Sequence, residues 1–193
     1  MLSAEFHDFH NNWLQKANHY NQDDLHELFD TFFTLFVIYN RLYAEATFVL
    51  ARRGGISIAN RTAFPDSSAA KSYVLQYLGA KNYVEGLIGD PDCQQAINSI
   101  VVLIDQGVFP IKLDMIHGTP QRGLDLDLRR DLQSHVAGEK GRAVLDLLYS
   151  IRCNLFHGHK GFEPIQSLLL TPTIVLLRKT IEVLFVKLDQ DPP

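Results

Sequence analysis

The sequence predicts an all-α fold, an up-and-down helical bundle formed by a single domain over residues 1–193, with an irregular insertion near the middle. Two observations support this prediction. Apolar residues recur three and four positions apart through most of the chain, which is the period of an amphipathic helix and not of a strand. The length of 193 residues is also sufficient for one domain with a real hydrophobic core.

The N-terminal part of the chain has the clearest helical pattern. A short amphipathic helix is expected over residues 3–19, followed by a long one over 22–52 in which apolar and aromatic residues keep a helical period. Aspartates stand in the first turn of the long helix and arginines at its end, as the helix dipole favours. Gly54-Gly55 ends it. Its aromatic density predicts the central helix of the bundle.

The middle of the chain predicts two further helical stretches after a linker at 54–65. The first is capped by Asp66 or Ser67 and continues to about residue 89. It forms either one helix or two pieces, because glycines interrupt the pattern. The second begins at Asp90-Pro91, which fits an N-cap followed by proline at the first helical position, and stops at Gly107.

The C-terminal part begins with the irregular segment 108–123, for which a short strand over 109–113 is one alternative. A polar helix is expected over 124–136 and an amphipathic one over 139–157. The last helix is expected to begin at Thr171-Pro172, again an N-cap followed by proline, and to end near residue 188.

Composition limits the classes of function. Apolar residues make up 46% of the chain and charged residues 21%, as in a globular protein, and the apolar runs are too short to span a membrane. The net charge of −4 argues against broad electrostatic attraction to nucleic acid but permits a local basic pocket. With only two cysteines, a reducing cytoplasm is the expected location.

The stretch RCNLFHGHK at residues 152–160 contains the residues best suited to chemistry. It places Arg152, Asn154 and His157 within six residues, at the end of an amphipathic helix. Cleavage of an RNA phosphodiester requires a base for the 2′-hydroxyl, an acid for the leaving oxygen and positive charge at the phosphate. Histidine supplies the proton transfers near neutral pH, and arginine binds phosphate through two parallel hydrogen bonds. The asparagine can orient the arginine or donate to a phosphate oxygen.

The spacing of Arg152 and His157 adds a geometric condition. Five positions along a helix rotate a side chain by roughly 140°, so these two residues do not lie on one face. They converge only if the arginine swings along the helix end or the last turn unwinds before Gly158. Two copies packed across a two-fold axis would bring two arginines and two histidines into one cleft. This favours a homodimer with a composite site.

The segment IRCNLFHGHK resembles the R-x(4–6)-H signature of the HEPN superfamily (higher eukaryotes and prokaryotes nucleotide-binding domain), in the form (V/I)R-x-N-L-F-H-G-x-K. FVIYNRLYAEATF, in the long early helix, is similar to the first major helix of that superfamily. The resemblance is strong over residues 139–188, fair over 22–52 and vague between them. HEPN domains are helical bundles that commonly dimerise. Many are metal-independent endoribonucleases of toxin–antitoxin, abortive-infection and RNA-guided defence systems, and others are inactive binding modules.

The resemblance implies a role for each matching residue. Arg152 would bind and polarise the phosphate, His157 would act as general acid and base, and Asn154 would orient the site. It implies RNA as the substrate, an antitoxin or other protein as a further partner, and no metal or cofactor. The polar position that often follows the arginine is Cys153 here, and Asn154 comes one residue later. Two supporting candidates lie just beyond the signature, His159 and Lys160.

Two alternatives remain beside the nuclease. An arginine and a histidine at the end of a helix often serve only as caps that interact with the helix dipole. A non-catalytic HEPN-like module would instead bind a partner protein or a nucleotide. That module predicts that Arg152 and His157 are buried or paired internally rather than open in a cleft.

Three other features have simpler explanations. His7 and His10 are three residues apart but lack further ligands at a suitable spacing, so we expect an exposed pair on a terminal helix. The acidic run of three aspartates at 125–131 is interleaved with arginines, which is typical of a solvated helix face. Cys153 follows Arg152 directly and is expected to pack in the interior.

Overall fold

The computed structural model describes five stretches of the chain, namely residues 2–21, 23–57, 64–114, 116–156 and 163–191. These residues form eight helices, and no strand is present among them. The all-α prediction is therefore confirmed. None of the described helices combines the length and the apolar character that a membrane span requires.

The eight helices are joined by connections of very different length, from the single residue Gly79 to the irregular segment between Gln106 and Arg122. In chain order they are α1 (Ala4–Asn18), α2 (Leu25–Arg52), α3 (66–78), α4 (Ala80–Ile88), α5 (Pro91–Gln106), α6 (Arg122–Gln133), α7 (Ala137–Phe156) and α8 (Gln166–Gln190). Helix α3 is composite: a wider π-helical turn at Ala69–Tyr73 separates two α-helical pieces, Asp66–Ser68 and Val74–Leu78.

Helix α2 is the central helix, as its aromatic pattern predicts. Asp24 is its N-cap, and the side chain accepts a hydrogen bond from the backbone nitrogen of Glu27 at 3.0 Å. The helix packs against α1, α3 and α8. Its largest fully buried side chains form the middle of the core, namely Leu28, Phe32, Leu35, Phe36, Ile38, Tyr39 and Leu42. These buried side chains are the surface against which the surrounding helices pack.

The helical stretch after residue 65 is in two pieces, α3 and α4. They meet at Gly79, whose φ of 78° and ψ of 121° suit a residue without a side chain. The prediction that Asp66 or Ser67 caps the start of α3 is wrong. Pro65 is the residue before the first helical one, and no side chain caps this N-terminus. Asp66 instead lies inside the first turn, where its carboxylate accepts hydrogen bonds from Tyr43 and Tyr149.

Helix α5 begins and ends as expected. Asp90 accepts hydrogen bonds from the backbone nitrogens of Asp92 and Cys93, and Gly107 adopts a left-handed conformation with φ of 65° at the other end. The segment that follows has no strand between residues 108 and 114. Its only bridge among the described residues is the isolated pair of Leu113 and Pro120.

The start of α8 differs from the prediction. The helix begins at Gln166, and Pro172 lies inside it rather than at its first position. A proline in a helix interior costs about 3 kcal/mol because it removes a backbone hydrogen bond. Leu169 and Leu170 are 3% and 1% exposed. Burying two leucines contributes about 1.5–3 kcal/mol each, which offsets the loss and draws the extra turns into the helix.

The histidines of α1 are not the exposed pair that the sequence predicts. His10 is only 8% exposed and stacks on Phe185 of α8, with ring centroids 3.9 Å apart. His7 Nε2 lies 3.0 Å from the Oδ1 atom of Asp189. Burial lowers the pKa of His10, so the neutral ring is favoured against its aromatic neighbour. Both side chains therefore attach α1 to the C-terminal half of α8.

Candidate functional site

The last two turns of α7 contain the described part of the sequence motif. Arg152, Cys153 and Asn154 lie within the helix Ala137–Phe156. The other candidates, His157, His159 and Lys160, lie outside the described residues, as does the last residue of the helix expected over 139–157. The structure therefore places the arginine and the amide of the motif.

Arg152 lines an open cleft of about 350 Å³ between α7, the π-helical turn of α3 and the irregular segment. Lys71 enters it from the π-helical turn and Lys112 from the irregular segment, while Asp146 and Tyr149 come from α7 itself. π-Helical turns inside α-helices frequently occur at functional sites. Side chains that are 40 to 80 residues apart in sequence thus meet beside the motif arginine.

The ring of Tyr149 supports two of the cations in this cleft. The guanidinium carbon of Arg152 lies 5.8 Å from the ring centroid, and the Nζ atom of Lys71 lies 5.3 Å from it. Attraction of a cation to an aromatic face holds each charge near the ring. One Nη atom of Arg152 is also 4.0 Å from the sulfur of Cys153. Cys153 is buried, which agrees with the packing role expected for it.

Asp66 fixes the position of Tyr149. One of its oxygens accepts a hydrogen bond from the Tyr149 hydroxyl at 3.1 Å, and the other accepts one from Tyr43. Burial and the nearby Asp66 raise the pKa of Tyr149 to about 12. Burial and the same carboxylate raise the pKa of Tyr43 well above its ordinary value, although Arg152 opposes that shift. Both hydroxyls therefore remain neutral donors at physiological pH.

Asp146 bridges the two lysines of the cleft. One of its oxygens accepts a hydrogen bond from Lys71 Nζ at 3.3 Å, and the other accepts one from Lys112. Lys112 Nζ also donates to the hydroxyl of Ser150 at 2.8 Å. The cleft is therefore lined by three cations, Lys71, Lys112 and Arg152, and by one carboxylate, Asp146. It is a locally positive site on a chain whose net charge is −4.

Asn154 secures the wall that carries Lys112. Its side chain is 5% exposed, and Nδ2 donates to the backbone oxygen of Ile111 at 2.7 Å. From the other side, Oδ1 of Asp125 accepts hydrogen bonds from the backbone nitrogens of Ile111 and Lys112, at 3.2 and 2.8 Å. Asn154 thus fixes the irregular segment against α7, next to Lys112, and its expected role in orienting Arg152 stays a prediction.

Asp125 corrects the prediction of a solvated acidic face. It is 1% exposed because it satisfies two backbone donors of the irregular segment. Asp127 is exposed and pairs with Arg130, which also contacts Asp131, so these two aspartates do match the prediction. Burial raises the pKa of Asp125 despite its two hydrogen bonds.

The raised pKa of Asp125 predicts a pH dependence of stability. The folded chain holds this proton more tightly than the unfolded chain does. The stability contributed by the group is therefore full below the unfolded pKa near 3.8, and it is lost as pH rises through the folded pKa. Asp125→Asn keeps an oxygen acceptor and does not titrate. Urea denaturation should show the variant gaining stability relative to the natural chain between pH 4 and pH 7.

Asp127→Asn is the matched control for that experiment, because Asp127 is exposed on the same helix. Its stability difference from the natural chain should change little over the same pH range. If the difference for Asp125→Asn were equally flat, burial of a charged carboxylate at this position would be the wrong account.

Several residues of the cleft do not follow from the motif. Asp146, Tyr149 and Ser150 precede the motif on α7. They lie seven, four and three positions before Cys153 of the motif, so the four residues form one stripe on the helix. That stripe was a sequence signal for a functional face. Lys112 offered no such signal, because it reaches the cleft only through contacts made by a segment without regular structure.

Comparisons of the chain with protein-family models, with curated proteins and with solved structures found no match. The resemblance to the HEPN superfamily therefore depends on the motif and the helical pattern described above.

Proposed function

We propose that this protein is a metal-independent endoribonuclease of the HEPN type, belonging to a toxin–antitoxin or phage-defence system. It cleaves single-stranded or looped RNA and leaves a 2′,3′-cyclic phosphate and a 5′-hydroxyl. The observation that supports this most is the location of Arg152. It is half-buried, and it lines an open, net-positive cleft with Lys71 and Lys112 on an otherwise acidic protein.

The reaction is a transfer of the phosphoryl group within the RNA strand. The 2′-oxygen attacks the phosphorus and forms a new P–O bond, while the bond to the 5′-oxygen of the next nucleotide breaks. A base takes the proton of the 2′-hydroxyl, and an acid gives a proton to the leaving 5′-oxygen. His157 is the residue proposed for these proton transfers because the imidazole pKa lies near neutrality.

Arg152 stabilises the negative charge that builds up on the non-bridging oxygens. Its planar guanidinium donates two parallel hydrogen bonds to them, which an ammonium group cannot do with the same geometry. Tyr149 limits the motion of the guanidinium, since the carbon lies 5.8 Å from the ring centroid and the ring is tied to Asp66. Preorganised charge of this kind is effective because little reorganisation is needed during the reaction.

A homodimer would complete the proton chemistry. One histidine can act as base while a second acts as acid, so two copies of His157 across a two-fold axis would divide the two roles. In each chain the general acid and base role is assigned to one histidine, His157, and His159 two residues later is only a supporting candidate. Formation of the dimer is part of this proposal.

Two observations favour the alternative of a non-catalytic module that binds a partner protein or a nucleotide. The amide nitrogen of Asn154 is engaged by the backbone of Ile111, and Cys153 occupies the place of the usual polar residue. In that case the cleft would bind a phosphate-bearing ligand without cleaving it.

Incubation with paired substrates separates these functions. The purified protein in EDTA is expected to cleave a single-stranded RNA and to leave a DNA of the same sequence intact, because DNA lacks the attacking 2′-hydroxyl. Cleavage of the DNA as well as the RNA would contradict the proposed mechanism. Cleavage of the RNA only after Mg²⁺ is added would also contradict it. Binding of RNA without cleavage would support the non-catalytic module.

A further inference from the structure

We infer that Lys71 and Lys112 form a second phosphate subsite beside Arg152, and that Asp146 occupies this subsite when no RNA is bound. RNA binding would then replace a carboxylate of the protein by a backbone phosphate of the strand. The inference rests on the proposed function for the identity of the strand. It goes further by naming the residues that bind the phosphate and the side chain that competes with it.

The geometry of the carboxylate supports the exchange. The two oxygens of Asp146 accept from two different ammonium groups, Lys71 on one side and Lys112 on the other. Two non-bridging oxygens of a phosphodiester can make the same pair of contacts, since lysine binds phosphate as a point charge. The hydroxyl of Ser150, 2.8 Å from Lys112 Nζ, keeps that ammonium in place during the exchange.

The three side chains are also accessible enough for an exchange. The exposed fractions are 26% for Lys71, 16% for Lys112 and 30% for Asp146. Partly solvated ion pairs of this kind are weak, because water and salt screen their attraction. When an RNA strand is already bound at Arg152, its next phosphates are present at high effective concentration at the lysine subsite. This favours the phosphate over the carboxylate of Asp146.

The subsite lies within reach of Arg152. The Nζ atom of Lys71 and the guanidinium carbon of Arg152 lie 5.3 and 5.8 Å from the same ring centroid, so they are at most 11.1 Å apart, the sum of the two distances. Phosphates separated by one or two nucleotides can span such a distance. The two positive centres can therefore hold successive phosphates of one strand.

The surroundings limit how far the strand extends. Beyond Asp146 the cleft continues into a second hollow of about 380 Å³, which is lined by Lys71, Lys112 and Arg142 but also by Asp127 and Asp131. Carboxylates repel a phosphate chain. We therefore expect the strand to leave the protein after the lysine subsite, with a short footprint of a few phosphates.

The test measures binding of a short fluorescent single-stranded RNA to the full chain carrying His157→Ala, which removes the proposed proton transfer and keeps the RNA intact. In this background Asp146→Asn is expected to tighten binding by about two- to fivefold and to steepen the salt dependence. Lys71→Gln is expected to weaken binding and to reduce the salt slope by about 0.7, the value for one lost contact to a single strand. Lys81→Gln, an exposed lysine of α4, should change neither quantity.

Three results would overturn the inference. One is Asp146→Asn binding RNA no more tightly than its parent while melting at the same temperature. If that variant proves unstable, Lys71→Gln decides, and binding equal to that of Lys81→Gln overturns the subsite. Inorganic phosphate at matched ionic strength should displace the RNA only weakly, and full displacement would indicate a site for free phosphate instead. Failure of the natural chain to cleave RNA would contradict the proposed function but leave this binding result standing.

Discussion

Replacing Arg152 by alanine is expected to lower the rate of RNA cleavage by about 100- to 1,000-fold, as loss of one preorganised donor to a transition-state oxyanion does. Tyr149 holds the guanidinium at the edge of the cleft. In the proposed mechanism the guanidinium donates to the oxygens on which charge accumulates. Because this charge is larger in the transition state than in the bound substrate, the loss should appear mainly in kcat.

Single-turnover cleavage of a labelled RNA measures this effect. Arg152→Lys keeps the charge but loses the planar pair of donors, so its rate should fall between those of the natural chain and the alanine variant. Arg52→Ala is a suitable control, because the Arg52 side chain is 63% exposed at the end of α2. If Arg152→Ala and Arg52→Ala both fold and cleave RNA at equal rates, Arg152 has no part in the mechanism.

Replacing Asn154 by aspartate is expected to destabilise the fold by on the order of 3 kcal/mol. The amide nitrogen of Asn154 donates to the Ile111 backbone oxygen at 2.7 Å, and the side chain is 5% exposed. A carboxylate at this position has no hydrogen to donate, and it brings a negative charge against a carbonyl oxygen. The segment that carries Lys112 should separate from α7 in consequence.

Urea denaturation of Asn154→Asp at several pH values measures the effect. The introduced carboxyl should have a raised pKa in the folded state, so the destabilisation should shrink as pH falls and the protonated acid again donates a hydrogen bond. Asn98→Asp, at an exposed position of α5, should lie within about 0.5 kcal/mol of the natural chain. Equal stability of the two variants would mean that the contact with Ile111 does not support the fold.

Most of the fold could be predicted from the sequence because helical periodicity is a local signal. Helix α2 buries the apolar stripe that its spacing defines, and Asp90 and Gly107 bound α5 as their residue types favour. The start of α8 could not be predicted in this way. Thr171-Pro172 is a strong local start signal, but burial of Leu169 and Leu170 by the rest of the core outweighs it.

The sequence could indicate residues of the candidate site only where they lie close together in the chain. Arg152 and Asn154 stand in one short motif, and the sequence indicates their chemistry. Lys112 and Asp125 enter the site through contacts with residues 13 to 38 positions away in the chain. His10 is buried for the same reason, because α8 presents the ring of Phe185 to it. These contacts between residues distant in sequence depend on how the helices pack. The residue pattern within a single helix does not predict them.

The chemical ends of the RNA products test the central claim most directly. Mass spectrometry of RNA cleaved by the natural chain in EDTA should show 2′,3′-cyclic phosphate and 5′-hydroxyl ends. His157→Ala should yield neither, while His135→Ala, altered at an exposed histidine, should yield both. Products with 3′-hydroxyl and 5′-phosphate ends, or equal cleavage by His157→Ala, would contradict the account of Arg152 and His157 as the catalytic pair.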